Sequence, residues 1–163
     1  SGQAVNKAAL LKKIMGELTA QMERYAGAAS TARAEAIDEE NQAEDKYDTR
    51  GLEASYLAAG QSRQMAETAE ALQKFGVLKP VRFAAGAAID VGALVELKTR
   101  REANLYFIWP SAGGTEVVHG KQTVLVLTPQ SPLGAQLVGR KAGDKLKMKI
   151  GGLVDDYTIT AVS

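Results

Sequence analysis

The sequence predicts an α+β protein: a long antiparallel coiled-coil hairpin, then an antiparallel sheet domain with one short helix. Three observations carry this. From Asn6 to about Phe75 there is no Pro and much Ala, Leu, Met, Glu and Gln, residues that lose little on entering a helix. After Gly76–Pro80 the chain changes to short, partly alternating, β-branched runs punctuated by Gly, Pro and Asn, the pattern of strands and turns. Between the two helical stretches lies AIDEENQAEDKYD, in which Asp38, Glu39, Glu40, Glu44, Asp45 and Asp48 face only Lys46.

In the first half, Leu11, Ile14, Leu18, Met22, Tyr25, Ala29, Ala32 and Ala36 recur at spacings of three and four. That is the narrow seam of a coiled coil. A similar seam returns at Leu52, Tyr56, Ala59, Met65, Ala69 and Leu72. Pairing Leu18 with Met65, Tyr25 with Ala59, Ala29 with Tyr56 and Ala32 with Leu52 gives residue numbers with a nearly constant sum. The hairpin then folds back near residue 42, in a turn within 38–45. At about 1.5 Å per residue, the arms would hold the acids roughly 45 Å from the other end. The expected domains are 1–76 and 77–163.

In the second half, 81–84, 93–97, 105–108, 123–127, 145–150 and 157–162 read as strands. GGTEVVHGKQ is a Gly-flanked hairpin pattern, with His119 as an exposed turn or strand-end residue. Ser131 reads as an N-cap, Pro132 as the first helical position, Leu133 to Val138 as a short helix and Gly139 as its stop. Asp155–Asp156 read as turn acids, and Trp109 as a core or rim aromatic.

Composition narrows the function. Among 163 residues there is no Cys and one His, so disulfides and thiolate metal sites are excluded. A Ser-His-Asp arrangement would rest on His119 alone. Neither a GxxxxGK[ST] nor a GxGxxG phosphate loop occurs, and no self-contained enzyme is expected. No apolar run reaches the roughly 18 residues of a membrane span, and the N-terminus lacks a signal-peptide layout. A cytoplasmic, monomeric protein is the expectation. Charge is polarised: residues 1–75 are net −3 and 76–163 net +4. Lys7, Lys12, Lys13, Arg24, Arg33, Arg50 and Arg63 on the arms either solvate the helices and pair with nearby Glu or line a path for RNA.

Two stretches resemble the GreA/GreB transcript-cleavage factors of bacterial RNA polymerase. TPQSPLGAQLVGRKAGDKLKMK (128–149) is similar to the family signature of strand, Ser-Pro, short helix, Leu-x-Gly-Lys/Arg and Gly-Asp before a strand. EENQAEDKYDTRGLEASYLAAGQ (39–61) resembles the second hairpin arm of a GreA/GreB-like subgroup. The resemblance implies an FKBP-like C-terminal domain docking at the rim of the polymerase's secondary channel. Ser131, Pro132, Gln130 and Leu133 would be its polymerase-binding residues. The hairpin would enter the channel, where Glu40 and Asp38, with Glu39, Glu44 and Asp45 as reserves, would hold Mg²⁺ shared with the polymerase, near the nascent RNA. The chain would have no cofactor of its own. Aligning Glu40–Asn41 with the family's Glu-Asn makes Glu40 the match for its second acid. The first acid's position falls on Ile37, beside Asp38. The alternatives are a polymerase-binding regulator without cleavage, or a prolyl isomerase or chaperone on an FKBP-like sheet.

Overall fold

The computed structural model describes residues 6–42, 50–150 and 152–163. Nine elements follow in order: α1 Lys7–Gln42, α2 Arg50–Gly76, β1 Leu94–Lys98, β2 Ala103–Ile108, β3 Glu116–His119, β4 Gln122–Leu127, α3 Pro132–Leu137, β5 Lys145–Ile150 and β6 Leu153–Val162. The chain groups into two compact units. One comprises Leu78–Ser163 and the chain up to Ile14, the other Met15–Val77. One boundary therefore falls inside α1.

In the sheet unit six strands form one sheet in the order β3-β4-β2-β1-β6-β5. It is mixed, which corrects the expectation of an antiparallel sheet. β2 and β4 pair in parallel, from Leu105↔Val124 to Ile108↔Leu127, and every other pair is antiparallel. The cause is β3, which hairpins onto the outer edge of β4 and leaves β4 to run alongside β2 in the same direction. Parallel neighbours need a long crossover, and the segment 109–121 with β3 inside it supplies one. One face buries Val95, Leu97, Tyr106, Ile108, Leu127, Leu146, Met148, Tyr157 and Ile159, closed by Ile89 and by Leu137 of α3.

Alternate residues Leu105, Phe107, Val124 and Val126 face the other way and are buried as well. The first two turns of α1 lie in this unit and bring buried Leu10, Leu11 and Ile14. Asn6 caps them: its side chain accepts from Ala9 N–H at 3.3 Å, and its carbonyl accepts from Leu10 N–H at 2.9 Å. Two lysines tie the segment to the sheet. Lys7 Nζ donates to the carbonyls of Ser163 (2.6 Å), Val81 (2.7 Å) and Gly92 (2.9 Å), and lies 5.0 Å from the centre of the Phe83 ring. Burial pulls its ammonium down to about 8. Lys13 Nζ donates to the Val118 carbonyl at 2.8 Å. These two side chains hold structure and so are spent before any RNA could meet them.

Several expectations are corrected here. Residues 81–84 are not a strand: the Val81 carbonyl accepts from Lys7, and Ala87 N–H closes a turn on the Ala84 carbonyl. Asp155 and Asp156 lie within β6 rather than in a turn, because Ile150 already pairs with Leu153. His119 ends β3 as expected but is half-buried, with Nδ1 enclosed and without a hydrogen-bond partner among the described residues.

In the second unit, 38–42 continue α1, so the expected turn within 38–45 does not begin there. Glu39, Glu40 and Gln42 are good helix formers, and no Gly or Pro stops them. Positions 43–45 lie outside the described residues. Near the C-terminus of α2 the buried positions are Thr68, Ala71 and Phe75. Met65, Ala69 and Leu72 of the expected seam are half-buried. A single step along a helix rotates the face by 100°, and the large Phe75 ring settles the choice. A Cβ on Gly76 would lie 3.8 Å from Met15 Cε, a pair that falls off the expected register. Arg24 pairs with Glu17 at 3.1 Å and Lys74 with Glu70 at 3.3 Å, which is local pairing of helix charges.

Candidate functional site

The segment from Thr128 to Gly139 is built by short-range rules. Ser131 sits in extended backbone (φ −65°, ψ 155°) and caps α3. Its hydroxyl accepts from Gly134 N–H at 3.0 Å and donates to the Thr128 carbonyl at 2.7 Å. Pro132 follows at the first helical position, where its missing N–H costs nothing. At the other end Val138 N–H bonds the Gly134 carbonyl, and Gly139 (φ 89°) ends the helix as expected. Gly139 N–H then donates to the Ile89 carbonyl, and Ile89 N–H to that of Arg140. Both ends of this six-residue helix are fixed to the sheet unit.

Two glycines make the fit close. A Cβ on Gly134 would lie 1.9 Å from the Thr128 carbonyl oxygen and 2.9 Å from Ser131 Oγ, so only hydrogen fits. A Cβ on Gly113 would meet Thr128 Cγ2 at 2.7 Å. Sequence reading missed Gly113, Thr128 and Gly134. A glycine inside a short helix was the available signal, because Gly there costs about 0.5–1 kcal/mol relative to Ala and needs a reason.

The four expected polymerase-binding residues come together and divide by role. Gln130 and Pro132 are exposed. Ser131 is half-buried with its hydroxyl engaged at both ends. Leu133 is half-buried against the core. The segment offers a rigid, solvent-facing Gln130–Pro132 ridge whose shape Ser131 maintains.

The acids are only partly placed. Asp38, Glu39 and Glu40 lie on the last five residues of α1, whose final turn carries no basic residue. Glu44 and Asp45 lie outside the described residues, as do the side chains of the other three. Among the described residues no three His, Cys, Asp or Glu side chains converge as a metal site. The aromatics that an isomerase groove would need are committed otherwise. Tyr106 and Phe107 are buried on opposite faces of β2, and Trp109 is half-buried, stacked at 6.2 Å from Phe107.

The fold is thus α+β, two long helices followed by a six-stranded mixed sheet with one short helix. No family model and no curated protein matches the chain. Among solved structures it is similar to the GreA factor homolog 1 (Gfh1) protein of Thermus thermophilus, with 21% identity over 91% of this chain and 94% of that one, at a TM-score of 0.39. It is similar to Thermus aquaticus Gfh1, with 21% identity, 93% and 92% coverage and a TM-score of 0.40. A prokaryotic transcription elongation factor GreA/GreB from Nitrosomonas europaea matches at 20% identity over 64% and 79%, with a TM-score of 0.38. At these values the likenesses carry no functional weight alone. No helix among the described residues is long and apolar enough to cross a membrane.

Proposed function

We propose that the chain is a polymerase-binding transcription factor of the GreA/GreB type. The Gln130–Pro132 ridge would meet the polymerase, and α1 and α2 would form an antiparallel hairpin that presents Asp38, Glu39, Glu40, Glu44 and Asp45 at its tip. The observation that carries the reading is the ridge: the residues of the signature-like stretch are held rigid by the Ser131 cap and the Gly134 fit, with Gln130 and Pro132 in solvent. The acids support it physically: six carboxylates with a single Lys among them within 38–48 repel one another, a cost that a cationic partner would relieve.

Mg²⁺ is usually held by one or two carboxylates, with phosphates and water completing its shell, and Asp38 and Glu40 could supply such a pair. Bound there it would assist hydrolysis of RNA at the polymerase's own centre. The chain's residues bring charge and reach and are not themselves an enzyme. A second reading keeps the docking and drops the cleavage. It is favoured by Ile37, which stands where the family pattern has its first acid.

The test is capture of core RNA polymerase. Wild-type protein should bind, while Pro132→Glu and Ser131→Arg should bind at least about tenfold more weakly. Ser131→Arg also removes a cap worth about 1 kcal/mol, so circular dichroism must show both variants folded. Equal capture by folded variants would remove the ridge from the interface. No capture of the wild type would overturn the reading.

A further inference from the structure

The densest cationic set in the sheet unit lies on one face of β1, β6 and β5. Residues directly opposite in an antiparallel ladder share a face. Lys98 and Lys145 both stand opposite Thr158, one on each side, which sets them in a row across three strands. Lys147 and Lys149 follow at alternate positions of β5. All three β5 lysines are exposed, whereas Leu146 and Met148 between them are buried on the opposite face. Because β1 runs antiparallel to β6, the chain leaving Lys98 heads toward the level of Asp156 and Lys147. That turn carries exposed Arg100 and Arg101.

Little on this face neutralises the charge. Lys98 pairs with Glu96 at 3.6 Å, while the other five cations have no ion pair among the described residues. Asp156 is an exposed acid of the face. Asp155 and Glu102 instead reinforce burial in raising the hydroxyl pKa of Tyr157, a residue of the core face. Lysines on an edge strand often serve only to block strand addition. That accounts for β5. It does not account for Lys98, Arg100 and Arg101, since β1 is an interior strand.

We propose that this face binds the sugar-phosphate backbone of duplex DNA without reading its sequence. Strand residues two apart are separated by roughly 6.8 Å, comparable with the spacing of successive phosphates along one DNA strand. Lys145, Lys147 and Lys149 can each meet a phosphate, and Arg100 and Arg101 extend the contact. On β1, β6 and β5 this face carries no aromatic side chain, its other members including Val154, Thr158 and Thr160, and Phe107 of β2 on the same side is fully buried. Unstacked bases would find no platform, which favours a duplex over a single strand. The proposal does not depend on polymerase binding.

The test is fluorescence anisotropy with a short labelled duplex of mixed sequence, titrated with the full chain across roughly 50–200 mM KCl. The expected dissociation constant is of order 10⁻⁴–10⁻⁶ M with a steep salt dependence. The Lys145→Gln, Lys147→Gln, Lys149→Gln triple variant should lose about tenfold or more. Its salt slope should fall by roughly 0.9 for each lost phosphate contact. The corresponding triple Arg variant should bind like the wild type, and Lys79→Gln with Lys121→Gln should change nothing. Thermal melting should show every variant folded. Unaltered binding by the Gln variant, tighter binding of the single strand, or capture by phosphatidylserine vesicles in place of the duplex would each overturn the proposal.

Discussion

At position 134 the difference between hydrogen and methyl decides whether the α3 segment closes. Ala is the better helix former by about 1 kcal/mol, so Gly134→Ala would stabilise a helix with open space around it. Here the new Cβ would lie 1.9 Å from the Thr128 carbonyl oxygen, and backbone cannot yield as a flexible side chain can. Overpacking of this kind costs typically 1–3 kcal/mol. Urea unfolding should therefore show Gly134→Ala destabilised by at least about 1 kcal/mol, and a stabilised variant would refute the fit. Lys7 poses a second residue-scale question, because burial lowers its pKa while three carbonyl acceptors favour its proton. Between about 8 and 10.5 the unfolded chain keeps a proton that the folded chain has released, so stability from this group rises with pH. The unfolding free energy of wild type minus Lys7→Met should climb across that window. A flat difference would mean that the carbonyls hold the ammonium charged.

At the scale of elements, legibility followed the range of the determining contacts. The α3 helix was readable because Ser131, Pro132 and Gly139 act within a few residues of it. The parallel β2–β4 pairing was not, because it depends on where a four-residue edge strand lands after a crossover. Positions 81–84 look like a strand until Lys7, 74 residues away from Val81, takes a carbonyl. Around Met65–Phe75 small and apolar residues lie on adjoining helical faces, so spacing alone did not separate the buried face of Thr68, Ala71 and Phe75 from one a step away. The candidate site divided similarly. The geometry of the Gln130–Pro132 ridge is local and its Ser131 cap was legible, whereas the role proposed for the acids would need a partner.

For the whole molecule, the acids carry the test of function. If they lend ligands to Mg²⁺ in the polymerase, substitutions that neutralise them should disable the factor. Asp38→Asn with Glu40→Gln preserves size and a carbonyl oxygen but removes the charge that draws in a hard divalent ion. This double variant should capture polymerase as the wild type does and show no stimulation of transcript cleavage on backtracked complexes. Wild-type cleavage should saturate with Mg²⁺, whereas raising Mg²⁺ should not rescue the variant, because the missing element is the ligand. Glu40 is the first to examine singly, since it aligns with the family's second acid without a gap, and Asp38 is next. Loss of polymerase capture in the double variant would place these residues in docking instead. Wild-type protein that binds polymerase and never exceeds its intrinsic cleavage would leave the second reading, a channel-binding regulator in which Ile37 stands where an acid is needed.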